Sequence, residues 1–514
     1  MADECGNAGR WRFAAAVAAC WLVMGMWVTG QSLWLDEGMA VSKSIQPTWT
    51  AFWKGFSGTR NSDLQQPLFM VVSWGWAKVV GRSEWGLRSL NWLWMAVAMG
   101  YVASRPWANR RVRLLWCALA ALSPFMAMYM DEAKGYILHF AGGTLLFLSI
   151  AGGSGRRLED FDFGAFSVGL LLTCGAALTG VVYAFWACLW LLARPIREKG
   201  LGRFLAAHWG WVAVDAVGLA VLAGWYGYTL WIGARGTDLG PPTVATMAFL
   251  AYEWFGFSGV GPARLVMRVE GARAMIPYAV PVALYAAVHA YFAFEGFRVW
   301  RERASAGAAA AGNRPRVPAY AMPLLLGGLG LMSMVIVGLV DDMAVRARHV
   351  MPVFPAALLF AAVWTDRMLS SARRSPRVAA ALLLAAMAAS SLALRFGERH
   401  GKENYRLAVA MAQDALRAGQ CVWWAADGQT ASVYGADTAG PGRFLPCMSA
   451  DRILRAMEYP PDVVFVNRPD TWDRKGLLAD YIAEHGLRQT DAFHGFRIYK
   501  PCGEGPGGGG EATQ

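Results

Sequence analysis

Charged residues are scarce in this chain. They make up 16% of its 514 residues, whereas hydrophobic residues make up 56%. This balance excludes an ordinary soluble protein. Apolar runs of membrane-spanning length recur between Trp11 and Leu394, which is typical of a polytopic helical membrane protein. The first ten residues carry no recognisable cleavable signal, so we expect the first apolar run to remain as a transmembrane helix.

Histidine and cysteine are also rare, with 7 and 8 residues. His139, His208 and His289 are scattered along the predicted helices and form no ligand cluster, so we expect no catalytic metal bound by histidine. Most of the cysteines likewise lack the spacing of metal ligands. If the polar C-terminal region is exported, one disulfide such as Cys421–Cys447 is possible there, and the sequence does not determine the pairing.

Hydropathy predicts eleven transmembrane helices, and therefore an all-α membrane domain. The predicted spans lie near residues 11–30, 88–104, 114–130, 136–151, 164–180, 181–193, 209–232, 276–297, 321–340, 350–368 and 378–394. With the N-terminus in the cytoplasm, each predicted cytoplasmic loop is rich in Lys and Arg, as the positive-inside rule requires. The net charge of +12 then reflects membrane topology, and we expect no nucleic-acid partner.

One apolar segment is an exception to this scheme. Pro67–Gly81 is short for a span and contains Lys78, and counting it as a span would invert every later loop. We therefore predict an interfacial helix there and a second one over Thr48–Phe56, both within a first exported loop over about 31–87.

Hydropathy falls after Arg395, where the pattern changes to that of a small α/β domain. We predict helices over 404–417 and 476–485 and strands over 421–425, 462–467 and 496–500. The predicted domains are thus a transmembrane catalytic domain over 1–394, an exported α/β domain over 395–502 and a disordered Gly-rich tail over 503–514.

The predicted topology gathers unusual polar residues on the exported side. Carboxylates there can accept a proton from a hydroxyl nucleophile, and Lys or Arg can hold a phosphate or diphosphate. The exported candidates are Asp36, Glu37, Asp63, Gln66, Arg88, Glu132, Lys134, Tyr136, Arg346, Arg348 and His349.

Each candidate also has a structural interpretation. Asp36-Glu37 are explained equally well as solvated acids at a helix end. Lys134 fits an interfacial lysine whose ammonium reaches water, or a partner for the acids at 131–132. Arg346 and Arg348 fit simple anchors of their loop.

Five motifs in chain order strengthen the catalytic interpretation. They are W-x-D-E at 34–37, D-x-x-x-P-L at 63–68, G-x-S-E-x-x-x-R-S at 81–89, E-A-K-G-Y at 132–136 and R-x-R-H-x-x-P at 346–352. In this order they resemble the GT-C superfamily of integral-membrane glycosyltransferases. The resemblance is to polyprenyl-phosphate-sugar-dependent enzymes such as protein mannosyltransferases and aminoarabinose transferases, and it covers about Trp11–Met368.

The resemblance implies an inverting glycosyltransferase that uses a polyprenyl-phosphate sugar. It implies that Asp36 is the catalytic base and Glu37 the second acid. The implied donor-binding residues are Arg88, Lys134, Tyr136, Arg346 and Arg348, and the implied supporting residues are Asp63, Gln66, Glu132 and His349.

The motifs also depart from the family pattern. Gln65-Gln66 replace residues such as His-Pro, Lys134 replaces an Arg, and His349 replaces a Tyr. An ammonium offers a point charge where a guanidinium offers a fork. Because of these replacements, the resemblance does not determine the identity of the sugar or whether a divalent metal is bound.

We therefore expect hexosyl or pentosyl transfer at the outer face of a bacterial inner membrane. The expected partners are membrane lipids, the lipid-linked donor, and a glycan, lipid or protein acceptor. The alternative is a transporter or flippase of a lipid-linked or anionic solute, which would use the same cations without a base. Against it, the sequence has no internal repeat and no paired broken helices.

Overall fold

A computed structural model of the chain describes residues 2–105, 108–153, 161–197, 200–233, 240–311, 320–437 and 443–501. The predicted tail at 503–514 lies outside these residues. Internal contacts divide the chain into two units. The first unit is Met1–Thr29 with Ser44–His400, and the second is Gly30–Lys43 with Gly401–Gln514. Residues 30–43, expected in the transmembrane domain, thus associate with the C-terminal region, while the predicted domain boundaries remain a prediction.

Helices dominate the first unit. In chain order, and including α2 of the second unit, they are α1 (Ala2–Met26), α2 (Leu35–Ser44), α3 (Trp49–Ser57), α4 (Pro67–Val80), α5 (Glu84–Ser104), α6 (Arg110–Leu122), α7 (Pro124–Met130), α8 (Tyr136–Gly153), α9 (Phe163–Ala176), α10 (Gly180–Arg197), α11 (Leu201–Ala207), α12 (Trp209–Trp231), α13 (Val244–Trp254), α14 (Arg264–Glu270), α15 (Ala279–Ala311), α16 (Ala321–Val340), α17 (Phe354–Leu369) and α18 (Arg374–Phe396).

Every predicted span coincides with a helix or a helix pair. Among the described residues, six helices are long and apolar enough to cross a membrane, or seven if one bent pair forms a single span. The six are Tyr136–Gly153, Trp209–Trp231, Gly271–Glu302, Ala321–Val340, Ala347–Leu369 and Arg374–Phe396. The chain is thus a mostly helical, multi-pass membrane protein, while the count of eleven spans remains a prediction.

The predicted span over 114–130 is broken into two helices. α6 and α7 meet at an angle of 61°. Ser123 caps α7, because its hydroxyl accepts from the N–H of Met126, and Pro124 occupies the first turn. Proline lacks the N–H that would continue α6 and its ring clashes with the preceding turn, so the chain bends here.

α8 lies at the centre of the first unit and is buried along most of its length. Its glycines allow close packing: a Cβ on Gly143 would lie 2.3 Å from the carbonyl oxygen of Pro352. The tight turn that precedes α8 is therefore attached to a closely packed helix. That turn carries the candidates Glu132 and Lys134, and the candidate Tyr136 is the first residue of α8.

The second unit contains a five-stranded mixed sheet. Its strands are β1 (Val422–Ala425), β2 (Phe444–Pro446), β3 (Val463–Asn467), β4 (Arg488–Phe493) and β5 (Phe496–Lys500), in the order β2-β1-β3-β5-β4. β1 runs parallel to β2 and β3, whereas β5 is antiparallel to β3 and β4. Its helices are α19 (Tyr405–Arg417), α20 (Gly428–Val433), α21 (Ala450–Ala456), α22 (Pro469–Trp472) and α23 (Leu477–Glu484).

Residues alternate between two cores across this sheet. Trp424 and Phe465 pack with α19 on one face, whereas Trp423 and Val464 pack with α21 and α23 on the other. The three predicted strands and two predicted helices are confirmed. Cys421 and Cys447, which were considered as a possible disulfide, are free thiols in the structure.

Candidate functional site

The turn between α7 and α8 joins many of the candidate residues in the first unit. Asn91 of α5 stabilises it, because the side-chain amide nitrogen lies 2.6 Å from the carbonyl oxygen of Glu132 and 3.2 Å from that of Met130. The bond to Met130 satisfies a carbonyl at the end of α7, and the carbonyl of Glu132 also accepts from the N–H of Lys134 at 2.7 Å. The turn is thereby held from the side by a neighbouring helix.

Lys134 forms a buried ion pair with Asp63. The Nζ of Lys134 lies 2.7 Å from Oδ1 of Asp63, and their side chains are 4% and 2% exposed. The next residue, Gly135, donates its N–H to Oε1 of Gln66 at 3.4 Å. Two candidates from the segment predicted to be the first exported loop, Asp63 and Gln66, therefore meet the candidate turn directly.

Arg88 is fully buried, and its guanidinium already has protein partners. Its Nη1 donates to the carbonyl of Thr29 at 3.0 Å and lies 3.8 Å from Oδ1 of Asp131. Asp131 in turn accepts from the N–H of Thr29 at 2.7 Å. A guanidinium with no exposed surface is better placed to orient the turn than to contact a ligand.

Glu132 is paired with an arginine that the sequence analysis did not select. Arg264, the first residue of α14, lies 3.0 Å from Oε1 of Glu132 and 2.7 Å from Oε1 of Glu253. Its Nη2 also donates to the hydroxyl of Tyr129 at 3.3 Å. Arg264 thus connects the candidate turn with α13.

Glu253 is buried, with 1% of its surface exposed. Burial raises the pKa of this carboxyl, and the nearby charges of Arg264, Arg346 and Arg348 oppose that rise. The effect of the last two arginines places the 346–349 segment within electrostatic range of Glu253. The segment between α16 and α17 therefore belongs to the same cluster as the candidate turn.

Arg346, Arg348 and His349 lie at the start of a 3₁₀ helix over Ala347–Val353. The Nδ1 of His349 accepts from the N–H of Arg346 at 3.2 Å, and the other ring nitrogen lies 3.4 Å from Nε of Arg348. Both arginines are half-buried. Like Arg264, whose side chain is 31% exposed, they are partly exposed cations of this cluster, and His349 orients the loop.

Tyr136 packs as the first residue of α8. Its ring meets the ring of Tyr129 edge-on, with centroids 5.0 Å apart. Together the described residues of the cluster comprise five cations, Arg88, Lys134, Arg264, Arg346 and Arg348, and four carboxylates, Asp63, Asp131, Glu132 and Glu253. This balance favours binding of an anion. The described residues include no group of three or more His, Cys, Asp or Glu arranged to hold a metal.

Asp36 and Glu37 belong to the second unit, on α2. Glu37 is fully buried, and its Oε2 accepts from Nζ of Lys402 at 3.0 Å and from the N–H of Trp34 at 3.4 Å. Asp36 is half-exposed. Successive helical residues point about 100° apart, so only one of two adjacent acids faces the packed side. The accessible carboxylate of the pair is therefore that of Asp36.

The sequence analysis missed Glu253, Arg264, Lys402 and Glu403. Arg264 offered one usable signal, because a cation in the first turn of a helix opposes the helix dipole and needs a compensating partner. Lys402 and Glu403 offered none, since their partners Glu37 and Leu35 lie more than 360 positions away in the chain.

Comparison with known proteins gives matches in structure alone. No protein-family model matches the chain, and a search of curated proteins finds no relative. The crystal structure of ArnT from Cupriavidus metallidurans in the apo state matches with a TM-score of 0.54 and 13% identity, over 96% of this chain and 98% of that one. ArnT bound to undecaprenyl phosphate gives a TM-score of 0.51 and 14% identity, over 95% and 97% of the two chains.

A third match is weaker. The cryo-EM structure of the arabinofuranosyltransferase AftD from Mycobacteria has a TM-score of 0.44 at 15% identity, and the alignment spans 40% of that chain. The matches to ArnT cover nearly all of both chains, which confirms the predicted resemblance to the GT-C glycosyltransferases at the level of the fold. The chain is a multi-pass membrane protein with an ArnT-like fold.

Proposed function

We propose that this chain is an inverting glycosyltransferase that moves a hexose or pentose from a polyprenyl-phosphate donor to an acceptor hydroxyl. The observation that carries the proposal is the cluster of five cations and four carboxylates around the turn before α8, in a chain with the fold of ArnT. One of the matching ArnT structures holds undecaprenyl phosphate. A cluster with more cations than carboxylates suits a lipid phosphate of that kind.

Asp36 is the proposed base. Its carboxylate takes the proton of the acceptor hydroxyl as the acceptor oxygen attacks the anomeric carbon. The bond from that carbon to the phosphate oxygen breaks, and its electron pair leaves with the polyprenyl phosphate. Attack opposite the leaving group inverts the anomeric centre. Half-exposure of Asp36 supports this role, whereas full burial of Glu37 supports a structural part in holding the base.

The cations of the first unit are the proposed electrostatic half of catalysis. Arg264, Arg346 and Arg348 are partly exposed and are therefore best placed to contact the phosphate. The ammonium of Lys134, which is paired with Asp63, is a further proposed contact. Stabilisation of the departing phosphate lowers the barrier most when the donors are already oriented. Arg88, Tyr136, Gln66, Glu132 and His349 hold these groups in place.

The surrounding assignments are part of the proposal. They are eleven spans, a cytoplasmic N-terminus, an exported α/β domain in a bacterial inner membrane, and a glycan, lipid or protein as acceptor. A reporter that is active only in the periplasm, fused after Arg395, tests the orientation, and an inactive fusion would contradict it.

The decisive experiment compares two Asp-to-Asn variants. The purified protein in proteoliposomes receives undecaprenyl-phosphate pentoses and hexoses labelled in the sugar, and release of label from the lipid is measured. Asp36→Asn should lower the rate roughly 10²–10⁴-fold, as expected for loss of a general base. The control is Asp342→Asn, because Asp342 is exposed and its φ of 51° suits asparagine. Full transfer by Asp36→Asn would refute the role of Asp36.

The same preparation tests the transporter alternative. A flippase would move labelled undecaprenyl phosphate between leaflets without releasing sugar, and its rate would not depend on Asp36. Movement without transfer in the unaltered protein would therefore replace the proposed function by the alternative.

A further inference from the structure

α2, the helix that carries Asp36, is too short to be stable by itself. It has ten residues, including Gly38, Val41 and two serines, none of which favours a helix strongly. Isolated helices shorter than about 12–15 residues are marginal in water. The orientation of Asp36 therefore depends on whatever α2 packs against.

The N-terminus of α2 is capped by a residue from the far end of the chain. The N–H of Leu35 donates to Oε2 of Glu403 at 3.2 Å. Glu37 caps the preceding N–H, that of Trp34, at 3.4 Å. Both carboxylates are buried and both are balanced by cations, since Arg468 lies 3.3 Å from Oε1 of Glu403 and Lys402 lies 3.0 Å from Oε2 of Glu37. Two of the first N–H groups are thus satisfied by charged acceptors, which is a strong form of capping.

The segments on both sides of this cap are held by the same region. The N–H of Leu33 donates to the hydroxyl of Tyr434 at 2.8 Å, and Nη2 of Arg406 donates to the carbonyl of Gly30 at 2.8 Å. At the other end of α2, Nζ of Lys43 donates to Oε1 of Gln429 at 3.2 Å. Residues 30–43 are therefore attached to the C-terminal region at both ends.

In the middle of α2, Gly38 lies directly against Thr430. A Cβ on Gly38 would lie 2.2 Å from Oγ1 and 2.3 Å from Cγ2 of that threonine. Thr430 is itself fixed, because its backbone N–H and hydroxyl both donate to Oδ2 of Asp427 at 2.6 Å. Such contact requires glycine, since any side chain would push α2 away from α20.

We propose that the C-terminal region orients the catalytic base. Glu37, Glu403 and Thr430 are positioning residues, and they determine where the carboxylate of Asp36 points. The role of Asp36 itself rests on the function proposed above. The C-terminal domain then contributes to catalysis whether or not it binds the acceptor.

A cycle of glycine substitutions tests the contact in the full-length protein in nanodiscs. Hydrogen exchange is measured for the peptide over residues 30–43. Gly38→Ala should speed its exchange roughly 5- to 150-fold, the range expected for overpacking by one methyl group. Thr430→Gly removes the clashing atoms, so the double variant should exchange no faster than Thr430→Gly alone.

The chain offers two controls. Gly30→Ala introduces the same methyl group in the same segment, where no atom lies within 4 Å of the added Cβ, and it should leave exchange unchanged. Peptides from β1 and β3 report whether the sheet stays folded in each variant. Wild-type exchange in Gly38→Ala, or a double variant as fast as Gly38→Ala, would overturn the proposal.

Transfer kinetics separate this proposal from the proposed function. Gly38→Ala should lower kcat for release of labelled sugar by at least about tenfold, while the Kd for undecaprenyl phosphate stays unchanged. In the double variant, kcat should return to the value of the Thr430→Gly single variant. If the protein shows the exchange cycle but transfers no sugar, the proposed function fails alone. If Asp36→Asn abolishes transfer but Gly38→Ala changes neither exchange nor kcat, the positioning proposal fails alone.

Discussion

The buried pair of Lys134 and Asp63 yields a prediction that separates folding from function. The two side chains are 4% and 2% exposed and their charged atoms are 2.7 Å apart. Removing one partner leaves a buried charge without its nearest counter-ion, which costs about 3–5 kcal/mol. Replacing both charges by neutral side chains of similar size often costs little. Lys134→Met and Asp63→Asn should therefore each destabilise strongly, whereas the double variant should be more stable than either single variant.

Reversible unfolding in mixed SDS and detergent micelles measures these free energies. The control is the pair of Arg111 and Asp366, which lie 3.0 Å apart but are 50% and 18% exposed. Arg111→Met should cost no more than about 1 kcal/mol, because solvent screens an exposed pair. If the Lys134 and Asp63 variants cost no more than this control, or if their effects simply add, the pair does not carry the stability that its burial implies.

The double variant then isolates the proposed donor contact. It is expected to fold, so its affinity for undecaprenyl phosphate reports the loss of the Lys134 ammonium without the instability of a buried, unpaired carboxylate. Loss of a hydrogen bond to a charged group, about 1.5–3 kcal/mol, corresponds to a Kd that rises roughly 10- to 150-fold. A folded double variant with unchanged Kd would refute donor binding by Lys134 and leave the ion pair with a structural role only.

Two further predictions concern packing and pH. Gly143→Ala should destabilise the first unit by about 1–3 kcal/mol in the same unfolding assay, because the Cβ would lie 2.3 Å from the carbonyl of Pro352, whereas Gly227→Ala has open space and should not. Burial raises the pKa of Asp427 above its usual 3.8, so its contribution to stability is fully present below about pH 4 and is lost as pH rises through the raised pKa. Opening free energies from hydrogen exchange over 422–433 should fall over that range, and Asp427→Asn should flatten this decline.

The helices of the first unit could largely be predicted from the sequence, because long apolar runs report on membrane insertion locally. The break at Ser123-Pro124 was equally local and could have been predicted from the proline. In the second unit, β2 was missed because it has three residues, and β4 because nearly all of its residues are exposed and show no alternation. Short or two-sided polar strands leave little periodic signal.

The candidate site was predictable as a set of residues but not as a set of contacts. The motifs selected Asp63 and Lys134, yet nothing in a single sequence says that residues 71 positions apart form an ion pair. Arg264 was missed because its partners come from distant parts of the chain, Glu132 from the turn before α8 and Glu253 from α13. Charge partners depend on how helices pack, and hydropathy carries no information on that packing.

The pair Asp36-Glu37 illustrates why adjacent identical charges need not share a role. On a helix the two side chains point about 100° apart, so α2 can bury one and present the other. Burial of the Glu37 carboxylate costs little free energy only because Lys402 and the N–H of Trp34 both bond to its Oε2. Those bonds also fix the position of the start of α2. A carboxylate that faces a substrate as a base cannot at the same time accept hydrogen bonds from the first N–H groups of its own helix. The second acid, with Glu403 beside it, performs that task, which is consistent with the proposal that Asp36 is the base.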